Sequence, residues 1–109
     1  MKNISAYIRE ERLPFVLKSL EKEGVYGITV SQVMGRGTQK GISLRYRGSY
    51  INIDLLPKIH IEVIVPDQME ERVCRCISTH AFTGKPGDGR IFVFDVEKSI
   101  RVRTFEVEA

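Results

Sequence analysis

The sequence predicts an α+β sandwich whose elements run strand, helix, strand, strand, helix, strand. Three observations carry this reading. Two stretches alternate apolar and polar residues with period two, around Ile4, Ala6 and Ile8 and again around Ile59, Ile61, Val63 and Val65. Two others place apolar residues at helical spacing. Glycine-rich loops separate these segments. The 109 residues, 42% hydrophobic and 28% charged, suffice for one domain (1–109) with a modest core.

Taken in order, Lys2 to Arg9 is a strand. Glu11 to Glu23 changes period: Leu13, Val16, Leu17 and Leu20 form one stripe of an amphipathic helix. Pro14 fits only its first turn, and Gly24 stands where a left-handed cap belongs. Gly27 to Met34 returns to strand through Ile28, Val30 and Val33. From Gly37 to about Leu55 no regular element is predicted, although a long hairpin is an alternative; loops of such length in small domains usually carry function. Lys58 to Val65 is the clearest strand, ended by Pro66. Asp67 and Glu70 have capping-box spacing before a second helix with the stripe Met69, Val73, Cys76, Ile77 and His80. Ile91 to Val96 is a strand, read as buried on both faces. Ile100 to Phe105 is a last short extended piece with Arg101 and Arg103 on one face. This order matches the split βαβ of ferredoxin-like folds.

A net charge of +3 favours anionic partners but falls short of a nucleic-acid footprint. No apolar run approaches a membrane span, and Met-Lys-Asn-Ile-Ser does not open a secretory signal; a cytoplasmic location is expected. Cys74 and Cys76 point to different faces of a helix and lack the second pair of a zinc site, so they are expected to be reduced thiols.

Two loops rich in glycine and cations stand out, Gly35 to Gly41 and Gly84 to Arg90. Bared N–H groups beside Lys or Arg make an anion cradle; taken singly, each loop also suits an ordinary turn. Lys58, Arg101 and Arg103 add positive charge, while a solvated strand edge would use the same arginines. Neither loop has P-loop spacing, and no helical pattern follows Gly35-x-Gly37 as a dinucleotide fingerprint requires. His60 and His80 are isolated, and Asp54, Asp88 and Asp95 form no carboxylate pair. The chain is equipped to bind an anion rather than to transform one.

Together these segments resemble the PII signal-transduction family over essentially the whole chain. The matching stretches are Gly-Ile-Thr-Val at 27–30, Gln-Lys-Gly at 39–41, Tyr-Arg-Gly at 46–48 and Leu-Pro-Lys at 56–58. The strongest are Thr-Gly-Lys-Pro-Gly-Asp-Gly-Arg-Ile-Phe-Val at 83–93 and Ile-Arg-Val-Arg-Thr at 100–104. The resemblance implies a homotrimer of ferredoxin-like subunits that binds ATP or ADP in clefts between subunits. It makes about 37–55 the T-loop, about 82–90 the B-loop and about 101–105 the C-loop. It implies that Gly87, Asp88, Gly89 and Arg90 wrap the phosphates, joined by Arg101 and Arg103 from across the cleft. Gly27, Thr29 and Ile64 would border the base, with Gly35, Gly37 and Thr38 at the foot of the T-loop. Gln39 would ligate Mg2+ shared by ATP and 2-oxoglutarate. Lys58 would pair with the distal carboxylate of 2-oxoglutarate, with Lys40 and Gly41 lining that site.

The T-loop, with Tyr46 and Arg47, would contact an ammonium transporter or nitrogen-assimilation enzymes, the membrane being approached only through such a transporter. Three departures stand out. Position 38 is threonine where many members have arginine, and Arg90 replaces a common lysine. The loop tip reads Tyr46-Arg-Gly-Ser-Tyr-Ile51, so the tyrosine that some members modify is not at its position. Ser49 and Tyr50 remain as modification candidates. The expected function is therefore that of a regulator sensing ATP or ADP and 2-oxoglutarate, without catalytic residues. The alternatives are a nucleotide sensor with another effector and target, a slow ATPase, and an RNA-binding module, which would want exposed aromatics on the sheet.

Overall fold

The computed structural model describes residues 1–36, 42–46, 49–53 and 55–109; for 42–46 and 49–53 the description is of strand pairing alone. β1 (Lys2–Ile8) leads through a single 3-10 turn, Glu10–Arg12, into α1 (Leu13–Lys22). β2 (Ile28–Gly35), β3 (Ile42–Tyr46), β4 (Ser49–Ile53) and β5 (Leu56–Val65) follow. After a second 3-10 turn, Asp67–Met69, come α2 (Glu70–Ala81), β6 (Arg90–Asp95), β7 (Ser99–Ile100) and β8 (Val107–Glu108). The main sheet has the order β2-β5-β1-β6, antiparallel at each pairing. This is the ferredoxin-like arrangement: each helix crosses over one strand and both lie on the same face.

The alternating pattern sets that packing. Ile4, Ala6 and Ile8 of β1 and Ile59, Ile61, Val63 and Val65 of β5 are buried against Val16 and Leu20 of α1 and Val73, Ile77 and Ala81 of α2. Pro14 occupies the first turn of α1, where its missing N–H costs nothing. Gly24 ends the helix at φ +80°. Its N–H bonds to the Glu21 carbonyl at 2.9 Å and that of Val25 to the Leu20 carbonyl at 2.9 Å, which is a Schellman cap.

Four expectations change. The segment 37–55 contains paired strands, β3 against β4 with Arg45 opposite Tyr50, so the hairpin alternative holds for its described residues. Asp67 does not cap α2: its Oδ1 accepts from the Met1 ammonium at 2.8 Å, which competes for the oxygen a cap would use. The piece 100–105 is not one extended strand. Ile100 pairs with Val107, and residues 102–104 turn, with the Phe105 N–H bonded to the Arg101 carbonyl at 2.8 Å. Five alternating residues read as a strand, but here the chain satisfies its backbone by folding back. Finally, β6 is not buried on both faces, because both helices lie on one side of the sheet. Phe92 and Phe94 point to the other side and are 43% and 55% exposed.

That second face carries a polar row. Asn3 donates to Glu62 at 2.9 Å, and Ser5 Oγ meets His60 Nε2 at 2.7 Å. The His60 ring stacks on Tyr7 with centroids 4.6 Å apart. His60 is thus held within the sheet.

Candidate functional site

The site forms where four strand ends meet under a loop. β1 ends at Ile8 and delivers Arg9; β6 starts at Arg90, in register with Tyr7. β5 presents Lys58 opposite Val33, and Gly35 closes β2 opposite Leu56. Residues 82–89 arch from α2 to β6 above them.

The loop is folded around one carboxylate. Asp88 accepts from the N–H groups of Thr83 at 2.8 Å and Gly84 at 2.9 Å, from the Thr83 hydroxyl, and from Arg9 Nε at 3.0 Å. Burial alone would raise the Asp88 carboxyl; these donors, led by Thr83, outweigh it and hold it well below the usual carboxylate range. Arg9 also donates through Nη2 to the Pro86 carbonyl at 2.7 Å, and the Lys58 ammonium donates to the Gly87 carbonyl. At Gly89, φ is +107° and a Cβ would lie 1.7 Å from the Tyr7 carbonyl oxygen, so only glycine lets the loop join the sheet there. At Gly87, φ is +95° and a Cβ would approach Arg9 Nη2 to 3.3 Å and Lys58 Nζ to 3.6 Å.

Below the loop opens a cleft of about 870 Å³, a volume typical of small-molecule sites. Tyr7, Val33, Met34 and Phe92 supply its apolar wall; Lys58, Arg90 and the backbone of Gly87 and Gly89 supply the other, with Gly35 and Arg36 at the rim. Burial, and then the charge of Arg9, lower the Lys58 ammonium below its ordinary value. An anion entering the cleft would reverse that, because opposite charge favours the protonated amine. An aromatic wall facing cations and glycine backbone suits a ligand with one flat and one anionic end.

The structure brings together six of the predicted residues: Gly35, Lys58, Gly87, Asp88, Gly89 and Arg90. The Asp88 side chain is spent on the loop itself. Gly27, Thr29 and Ile64 stand at the opposite end of the sheet: Thr29 pairs with Glu62 and Ile64 with Asn3. Arg101 and Arg103 lie in the terminal turn, Arg101 Nε 3.8 Å from Glu106, and do not line the cleft. Gly37, Thr38, Gln39, Lys40, Gly41 and Arg47 lie outside the described residues. Tyr46, Ser49 and Tyr50 belong to β3 and β4, described only by their pairing. Among the described residues no cluster of three or more His, Cys, Asp or Glu side chains could hold a metal ion.

The family model of the nitrogen regulatory protein P-II matches residues 1–106. The chain belongs to the P-II family. It is 48% identical over 106 residues to nitrogen regulatory protein P-II 1 of Methanothermobacter thermautotrophicus, covering 97% of this chain and 92% of the relative. It is 46% identical to P-II 1 of Escherichia coli K12 and 45% identical to P-II of Haemophilus influenzae, in each case over 97% of this chain and 95% of the relative. These relatives are named as regulators. Among the described residues, no helix of this P-II chain is long and apolar enough to cross a membrane.

Sequence reasoning missed the apolar wall and Arg9. Tyr7, Met34 and Phe92 read as ordinary strand residues, and Arg9 as the polar end of β1. The available signal was the bare sheet face: once both helices are assigned to one side, the alternate residues of β1 and β6 must face something else.

Proposed function

We propose that this P-II protein is a homotrimeric regulator. It senses ATP or ADP together with 2-oxoglutarate, and it acts on nitrogen-related targets, an ammonium transporter first, through its T-loop. The observation that carries the reading is the cleft: glycine backbone at 87 and 89 beside Lys58 and Arg90, opposite an aromatic wall. Glycine backbone lets a phosphate approach closely, and the cations neutralise its charge.

The split between the two ends of the sheet supports a shared site. Positions 58 and 64 of β5 are separated by about 20 Å at roughly 3.3 Å per residue. One cleft on one chain therefore does not gather both groups. A neighbouring copy, placed with its far end against this near end, brings Thr29, Ile64, Arg101 and Arg103 to the loop. Such a head-to-tail contact closes into a ring when its rotation permits, and the exposed Phe92 and Phe94 are the apolar area it would cover. On this reading Mg2+ is held by the nucleotide and Gln39, and 2-oxoglutarate by Lys58 with Lys40 and Gly41. The protein transmits occupancy rather than catalysing a reaction. The test is the mass in solution by light scattering, with ATP titrated by calorimetry. A trimer binding one nucleotide per chain is expected; a monomer without ATP heat contradicts the reading.

A further inference from the structure

We infer that Arg9 is a positioning residue for the 82–89 loop, fixing through its ion pair with Asp88 the backbone shape that receives an anion, without touching that anion itself. The identity of the ligand rests on the nucleotide reading above; the role of Arg9 in shaping the loop does not.

Arg9 grips the loop at two places. Its Nε donates to Asp88 Oδ1 at 3.0 Å and its Nη2 to the Pro86 carbonyl at 2.7 Å. A planar guanidinium can hold both at once; an ammonium, a single point of charge, cannot reproduce the fork. Asp88 passes the constraint on, since the same carboxylate receives the N–H groups of Thr83 and Gly84. Arg9 thereby ties the end of β1, the rigid centre of the sheet, to both sides of the turn. The two side chains are 24% and 23% exposed, so solvent screens the pair less than it does a surface bridge. Arg9 is absent from the side chains lining the cleft, so its influence on a ligand there passes through the loop. Lys58 makes the neighbouring contact, to the Gly87 carbonyl, and a Cβ at Gly87 would sit 3.3 Å from Arg9 Nη2 and 3.6 Å from Lys58 Nζ. The loop therefore takes its form from side chains far off in the sequence as well as from its glycines.

The test uses Arg9→Gln, Asp88→Asn, the double variant and Arg9→Lys in the full-length chain. Amide hydrogen exchange, which needs no ligand, is measured at Thr83 and Gly84. Both amides are expected to exchange at least about tenfold faster in Arg9→Gln, with the core amides of β1 and β5 unchanged. Unchanged exchange at Thr83 and Gly84 overturns the inference. ATP affinity is then read by calorimetry. Each single variant is expected to bind about tenfold more weakly and the double no more weakly than the worse single, because neighbours that act as one unit are not additive. Additive losses would mean that Arg9 meets the ligand directly, and would overturn the inference. Arg9→Lys should recover only part of the affinity; full recovery would mean that charge alone matters. If the wild type fails to bind ATP while the exchange result holds, the nucleotide reading fails and the positioning role stands.

Discussion

Arg9 Nε donates to Asp88 Oδ1 at 3.0 Å, joining residues 79 positions apart. The pair turns a glycine-rich loop into a fixed cradle. It also makes a prediction about acid. Asp88 has a folded-state carboxyl held well below its unfolded value. Its contribution to stability is therefore present above the unfolded pKa, near 3.9, and is lost as pH falls below that. Urea midpoints between pH 3 and pH 7 should drop on the acid side, and Asp88→Asn should flatten that part of the drop. Parallel curves for the two proteins would show that Asp88 is not a source of the acid sensitivity.

Two glycines should behave oppositely. At Gly89 an added Cβ meets the Tyr7 carbonyl at 1.7 Å on a φ of +107°. Gly89→Ala should cost about 1–3 kcal/mol or more, from strain alone. At Gly27 nothing lies within 4 Å of an added Cβ. Gly27→Ala should change stability by no more than about 0.5 kcal/mol, yet weaken ATP if the base of a nucleotide packs there. Denaturant unfolding and calorimetry on both variants separate the two effects. Equal stabilities would contradict the loop geometry, and unchanged ATP affinity in Gly27→Ala would remove that residue from the site.

Arg101 and Arg103 lie in the terminal turn, away from the cleft of their own chain. Replacing both by Ala should weaken ATP without shifting the unfolding midpoint, because the turn buries little. Mixing experiments sharpen the point. If the chain assembles as the proposed trimer, mixtures of the Arg101/Arg103 variant and a Gly89 variant should regain some intact clefts, since each cleft would draw the loop from one chain and the arginines from another. No regained binding in mixed trimers would place all these residues on one chain's site, or outside it.

How much of this was legible in the sequence depends on the element. β1, β5 and the two helices were, because burial on one side writes a period that Ile4, Ala6 and Ile8 or Ile59, Ile61, Val63 and Val65 display directly. The Gly24 cap was legible for the same local reason. The terminal turn was not: Ile100-Arg-Val-Arg-Thr alternates like a strand, and only the pairing of Ile100 with Val107 shows where it folds back. β6 misled because Phe92 and Phe94 are apolar on a face the helices leave bare. In the site, the glycine loop announced itself, but its anchor did not. Nothing local to Arg9 distinguishes it from any arginine at the end of a strand.

The T-loop prediction concerns a partner. Tyr46 and Arg47 are the residue types that dominate interface anchors. On the proposed function, retention of the protein by an ammonium transporter should be highest with ADP and lowest with Mg-ATP plus 2-oxoglutarate, and Arg47→Ala should lower it throughout. Equal retention in every condition would show that this loop is not the contact the effectors control.

The central claim is that one site reads nucleotide and 2-oxoglutarate together, and the most direct measurement is calorimetric titration of 2-oxoglutarate with and without Mg-ATP. Two ligands that favour each other do so reciprocally, so 2-oxoglutarate should bind in the presence of Mg-ATP, tighten ATP by the same factor, and give no heat on the nucleotide-free protein. In Gln39→Ala the 2-oxoglutarate heat should vanish while most ATP affinity remains. Tight binding of 2-oxoglutarate to the nucleotide-free protein, or none even with Mg-ATP, would contradict the account.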